Sequence, residues 1–314
     1  MTSPPSHTPT SPAWQWLALA LASQLGWGAY PALLRYLQTV SNLPGLSLLA
    51  AGNLLVLLLG IALILPRVDR RIFRQPILWL FGVLVILRGV TNLLATRFTL
   101  AVYAQLIYLL TPFIVALLSR LVLRERLPRH TLPALLLSLT GVFLMMRESL
   151  LATAVSPTPT RNDPLGISLA LASSGFLALY MLVTRRTARR QAPGEALLLV
   201  HLLSLFAFSA LASLLLGEDW QRWRALEATD WLVFAAFSLG VLLSANLGQI
   251  RTIQQLGAPL VSSLMPIRLV SALLVAGLLL GERLTSVGQL LGAGIVIVTL
   301  TWYLRQQGQR MGSG

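Results

Sequence analysis

The sequence contains no cysteine and no lysine; all 24 basic residues are arginine. Without cysteine there is no disulfide framework, no thiolate metal site and no thiol nucleophile. The three histidines, His7, His130 and His201, are scattered. No HExxH, Walker A or GxGxxG pattern is present. The sequence therefore assigns no catalytic residue, no metal ligand and no cofactor. Charge itself is scarce, at 11% of residues against about a quarter in soluble domains. Hydrophobic residues make up 56% and the mean hydropathy is +0.75. A water-soluble chain of 314 residues could not hide that much apolar surface, which excludes a soluble enzyme, a secreted domain and a disordered chain. The apolar runs between Trp16 and Leu304 are each near the ~20 residues that cross a bilayer. The formal charge of +14 does not point to nucleic acid, because the arginines cluster in short segments between apolar runs, as anchors at an anionic membrane face do.

The pattern predicts an all-α polytopic membrane protein. Residues 1–13, rich in Ser, Thr and Pro, read as a disordered tail. Ten helices are expected at roughly 14–38, 43–65, 77–98, 100–122, 131–147, 164–184, 194–216, 229–250, 257–280 and 286–304. Backbone polar groups in lipid must be satisfied within each segment, so runs this long are helical. The longest connection, 148–163, divides a first five-helix half (14–147) from a second (164–305), and 306–314 forms a C-terminal tail. With both termini cytoplasmic, 15 arginines fall on the inner side, 7 on the outer side and 2 inside spans. That bias favours the orientation.

The halves echo each other. LALAS at 19–23, Tyr30 and Arg35 recur as LALAS at 169–173, Tyr180 and Arg185, a constant shift of 150. Pro44-Gly45 answers Pro193-Gly194. Asn92, Arg97 and Pro112 answer Asn246, Arg251 and Pro266, and Arg124-Glu125-Arg126-Leu127 answers Gly281-Glu282-Arg283-Leu284. Five is odd, so the second half starts from the opposite face. The result is an inverted-topology repeat, the architecture behind alternating access in many secondary transporters.

With these features the chain resembles the drug/metabolite transporter superfamily, specifically its EamA-type group, over residues 14–305. The resemblance rests on ten spans, a 5+5 repeat, the proline within helices 4 and 9, and the Gly-Glu-Arg-Leu turn at Gly281–Leu284, which the first half matches without its glycine. It implies ten transmembrane helices arranged as two inverted five-helix repeats around a central cavity. Helices 1, 3, 4, 6, 8 and 9 would line that cavity, with helices 5 and 10 peripheral. The family handles diverse small solutes, so the resemblance does not name this one.

All ten acidic residues lie in connections or at helix ends, whereas Arg88 and Arg268 fall about eleven residues into their spans. At ~1.5 Å per residue that is ~16 Å from the near end, close to the midplane of a ~30 Å core. A midplane arginine costs at least ~2.5–3.5 kcal/mol. The pair is either structural, or misplaced by the span boundaries, or a cation pair facing a wet cavity and holding an anion. The third reading is favoured because no acidic partner is available in the spans and guanidinium grips carboxylate and phosphate through paired donors. Asn92 shares a helix face with Arg88, and Asn246 is its repeat mate; each is either interhelical glue or a solute contact. Tyr30 and Tyr180 are either belt residues or cavity lining. Tyr108 follows Tyr103 by five, so one of the two points inward. Gln24, Trp27 and Gln249 are further cavity candidates, while His201 reads as packed. Pro112 and Pro266 are candidate hinges or static bends.

The expectation is a secondary transporter of a small anionic or zwitterionic metabolite in a bacterial inner membrane, working by exchange or facilitated movement. Its partners are the solute and the bilayer; the sequence does not give an oligomeric state. The alternatives are an exporter of neutral or amphipathic compounds with structural arginines, and a non-transporting membrane partner protein. An intramembrane enzyme is disfavoured by the lack of a buried Asp, Glu, Cys or His cluster.

Overall fold

The computed structural model describes residues 13–123, 130–155, 162–189, 192–256, 261, 264–282 and 286–311. The Arg124–Leu127 turn, Arg283 and Leu284 lie outside them, as do residues 1–12 of the expected tail. The described residues are helical with no strand. In chain order the helices are α1 (Ala13–Thr39), α2 (Gly45–Leu63), α3 (Pro76–Phe98), α4 (Ala101–Tyr108), α5 (Thr111–Leu123), α6 (Thr131–Val155), α7 (Asp163–Arg189), α8 (Gly194–Leu215), α9 (Ala228–Ala235), α10 (Asn246–Leu256), α11 (Pro266–Leu280) and α12 (Val287–Met311). A π-helical stretch, Ala236–Ala245, joins α9 to α10.

Seven segments among the described residues are long and apolar enough to cross a bilayer: Trp14–Thr39, Gly45–Leu63, Pro76–Phe98, Ala101–Leu118, Asp163–Thr187, Gly194–Leu215 and Ala228–Leu256. Shorter apolar helices cover Thr131–Arg147, Pro266–Leu280 and Val287–Tyr303. Their outer surface is greasy. Leu278 is 84% exposed and Leu215 77%, whereas Gln24, Arg88, Asn92 and Arg268 are buried. A soluble fold does the reverse; this distribution suits a hydrocarbon solvent outside and polar contacts within.

Local chemistry sets the helix ends. Proline opens α3 and α11, where its missing N–H would find no helical partner anyway. Gly281 closes α11 at φ 65°, a left-handed cap that glycine adopts without Cβ strain. Two expectations change. Residues 148–155 continue α6 instead of starting the inter-half loop, because nothing in Leu150–Val155 breaks a helix before Pro157. Residues 100–122 form two helices, α4 and α5, with turn residues Leu109 and Leu110 between them. Pro112 sits in the first turn of α5, so the span is interrupted there instead of bent through a continuous ladder. Pro266 likewise follows turn residues Leu264 and Met265.

Helix α1 packs against α11, the π-helical stretch and α10; α7 packs against α3, α4 and α5; α2 packs against α8, and α6 against α12. Glycine brings two of these pairs close. A Cβ on Gly28 would meet the Arg268 backbone, with its Cα at 2.8 Å. A Cβ on Gly292 would meet the Met145 amide nitrogen at 2.7 Å. Gly292→Leu is therefore expected to pry α6 from α12 and cost about 1–3 kcal/mol, as overpacking does. Thermal unfolding in detergent should show a lower Tm, with ligand affinity of the surviving folded fraction unchanged because α6 and α12 stand away from the central seam.

Candidate functional site

Helices α1, α3, α4, α7 and α11 each present side chains to one buried seam. Arg88 stands near the middle of α3. Its guanidinium carbon lies 4.6 Å from the Trp27 ring centre and 5.3 Å from that of Tyr180. No hydrogen bond to this guanidinium is found among the described residues, and no ion pair either. Arg268, in the first turn of α11, is 6.0 Å from the same Trp27 ring. It donates from Nε to Gln24 Oε1 at 2.5 Å and from Nη2 to Gln249 Oε1 at 2.9 Å. The Tyr108 hydroxyl donates to Asn92 Oδ1.

Two small cavities occupy the seam, of about 10 and 20 Å³. The first is lined by Trp27, Tyr30, Arg88, Asn92, Tyr108 and Arg268, together with Gln105 and Ser173. The second adds His201, Leu205 and Leu242 to Trp27, Tyr30 and Arg88. A water needs about 10–15 Å³ of such space, so the seam is closed around its arginines to the size of one or two waters. The open central basket of the expectation is not the state observed.

The structure thus brings together Arg88, Arg268, Asn92, Tyr30, Tyr108, Tyr180, Gln24 and Trp27. Tyr30 and Tyr180 are buried at 5% and 0%, well inside the protein and not in an interfacial belt. Tyr103 is turned away and accepts from Gln289 Nε2 at 3.1 Å. Asn246 lines neither cavity; it opens α10, fully buried, with both side-chain polar atoms unpartnered. Three contributors were not anticipated as lining residues. Gln105 and Ser173 sit on faces that only the packing of α4 and α7 defines. His201 reads as packed from sequence, and it does contact Phe81 and Tyr180, yet it also borders the second cavity, so the helix of the seventh span joins the lining.

The seam is rich in spare donors. Trp27 Nε1, Gln24 Nε2, Gln105 Nε2, Gln249 Nε2 and the Tyr180 hydroxyl are buried with no partner. Buried polar groups in folded proteins are otherwise nearly always paired.

A buried ion pair lies beyond the seam on α1. Arg35, just beyond Tyr30 on α1, pairs with Glu282 at 3.0 Å, both largely buried. Arg35 also donates to the carbonyl oxygens of Thr96, Arg97 and Thr99 at the end of α3 (3.0, 3.2 and 2.7 Å). Glu282 accepts from the Ala101 and Val102 amides at the start of α4 (3.4 and 3.5 Å). A cation on a helix C-terminus and an anion on a helix N-terminus both gain from the helix dipoles.

Residues 14–147 match the model of the EamA-like transporter family. Over those residues the chain is similar to the EamA-like transporter family. A solved crystal structure shares the architecture at TM-score 0.60 and 23% identity, over 90% of this chain and 98% of its own. At that identity the likeness speaks for the fold alone, which extends beyond the EamA-like unit into the second half. No curated protein matches the chain.

Removing one member of a buried ion pair costs about 3–5 kcal/mol, because the other is left uncompensated. Glu282→Gln should therefore lower the Tm clearly, and adding Arg35→Gln to it should restore part of the loss. A double-mutant cycle by thermal unfolding checks this; strictly additive losses would mean that the pair is not coupled.

Proposed function

We propose that the chain is a secondary transporter of a small anionic or zwitterionic metabolite, working by alternating access in an inner membrane with both termini cytoplasmic. The carrying observation is Arg88: a buried guanidinium at the centre of its helix, with neither carboxylate nor hydrogen-bond acceptor among the described residues. Two cation–π contacts are worth about 0.5–2 kcal/mol each. Unsatisfied buried donors cost about 1–3 kcal/mol apiece, so the aromatic faces do not offset what Arg88 loses. A carboxylate or phosphate accepting two parallel N–H bonds would.

The proposed architecture is ten transmembrane helices in two inverted five-helix repeats, 14–147 and 164–305. The helix pairing supports it. Exchanging the halves turns α1 beside the eighth span into α7 beside α3, and α1 beside α11 into α7 beside α4 and α5. The same exchange maps the α2–α8 and α6–α12 pairs onto themselves. The LALAS serines follow the pattern: Ser23 donates to Ala245 O at 2.5 Å and Ser173 to Arg88 O at 3.3 Å. In this reading the Arg35–Glu282 tie holds the outer end shut. The breaks before Pro112 and Pro266 serve as hinges, since a span already lacking continuous ladder bonds bends at little cost.

Arg268 taken alone favours a second reading, in which its two glutamine partners make it structural and the cargo is neutral or amphipathic. Arg88 separates the two. Arg88→Gln should reduce uptake of an anionic substrate into proteoliposomes about 100-fold, the loss of a charged hydrogen-bonded pair of ~3 kcal/mol, while leaving the Tm unchanged or higher because a buried unpaired cation is gone. A falling Tm with transport intact would favour the structural role.

A further inference from the structure

The inventory of donors and acceptors around the two arginines narrows the substrate class, an inference that rests on the anion reading above. Neither Asp nor Glu lines either central cavity. Glu282 is committed to Arg35, and Asp163 accepts from the Thr99 hydroxyl at 2.6 Å. Two positive charges therefore face the seam without a counter-charge. Both address the same indole, so their guanidinium carbons are no farther apart than the 4.6 and 6.0 Å contacts laid end to end.

The hydrogen-bonding groups lean the same way as the charge. The side-chain oxygens of Gln24 and Gln249 are taken by Arg268, and that of Asn92 by Tyr108. The orientation of both glutamines is forced, because an amide NH₂ turned to a guanidinium would set donor against donor. What remains spare is mostly donors: the NH₂ groups of Gln24, Gln249 and Gln105 and the Trp27 indole N–H, with the Tyr180 hydroxyl and His201 Nδ1 able to donate or accept, together with the Arg88 fork. An amino acid would bring an ammonium into this site beside two guanidiniums and find no carboxylate to meet it. A monoanion would leave one of the two cations unbalanced in a water-poor space, where an unpaired charge is most costly.

We infer that the seam binds a small dianion, its two negative charges shared between Arg88 and Arg268 across the Trp27 ring, and that it discriminates against zwitterions and monoanions. The shared chemistry is a doubly charged, acceptor-only ligand. A short dicarboxylate and a phosphate monoester both supply it.

The test uses the purified full chain in detergent, with ligand-induced Tm shifts titrated to apparent affinities. One arm compares succinate with its monomethyl ester. The other compares methyl phosphate with dimethyl phosphate, and alanine serves as the zwitterion. The proposal expects at least one dianion to bind about tenfold or more tightly than its singly charged ester and than alanine; the arm that responds identifies a carboxylate or a phosphate source. Arg268→Gln and Arg88→Gln should each bring the dianion-to-monoanion ratio towards one. The wild-type ratios need no variant, so a misfolded mutant leaves the test intact. Equal affinity for dianion and monoester in both arms, or preferential binding of alanine, overturns the dianion assignment while the anionic or zwitterionic reading stands. If neither arm nor alanine stabilises the protein, both fall.

Discussion

A guanidinium sunk among helices, with no carboxylate beside it among the described residues, constrains everything placed around it. Arg88 meets that constraint with flat aromatic faces, Trp27 on α1 and Tyr180 on α7, which cancel part of its charge without supplying an acceptor. Arg268 meets it with amide oxygens from Gln24 and Gln249. These solutions draw on α1, α3, α7, α10 and α11, so the cations dictate which helices must converge. Close approach follows from the same demand. Gly28 lies against the Arg268 backbone, and Ser271 donates to Leu25 O at 2.7 Å, clamping α11 to α1 directly beside the site. A bulkier residue at Gly28 would push Arg268 away from its glutamine and open the seam.

The scaffold and the chemistry it carries differ in symmetry. Ser23 and Ser173 occupy matched positions and both reach a carbonyl oxygen on a neighbouring helix. The matched prolines both sit where a helix restarts. The arginines break the pattern: at the 154-residue shift that relates Asn92 to Asn246 and Pro112 to Pro266, the position matching Arg88 is Leu242, in the π-helical stretch, and the position matching Arg268 is Ile114. Each half supplies one cation, from non-equivalent spans. A repeat that duplicated the cation as well would place more positive charge in the seam than its neutral donors and aromatic faces can accommodate. On the proposed reading, the symmetric parts serve packing and movement, and the asymmetric parts serve the ligand.

Much of this was legible in the residues themselves. Helix lengths followed from the apolar runs because lipid leaves the backbone no other way to satisfy its hydrogen bonds. The importance of Arg88 and Arg268 followed from the cost of charge at mid-span. What the residues did not reveal depends on packing between distant segments. Leu109 and Leu110 look like any other span residues, and the interruption there arises because Pro112 finds its place at the start of a new helix. Nothing in Ala236–Ala245 announces π winding. His201 and Ser173 became cavity neighbours only through the pairing of α7 and α8 with α3. Tyr30 and Tyr180, which hydropathy places as readily in an interfacial belt, are drawn inward because Arg88 needs a partner that is neither water nor carboxylate.

The size of the seam gives the charge argument its force. Room for only one or two waters leaves both arginines far less solvated than at a surface, so effective Coulomb interactions are stronger there. On the dianion reading, the empty closed form holds two uncompensated charges in a dry space, while the loaded form holds none. Passing through closure is then easier with cargo than without it. In an alternating-access carrier that difference favours exchange over net flux, since the empty return is the step that must bury naked charge. The Arg35–Glu282 tie fits the same logic. On the same reading it closes one end of the seam with groups of opposite charge, adding little to the positive potential that the ligand has to neutralise.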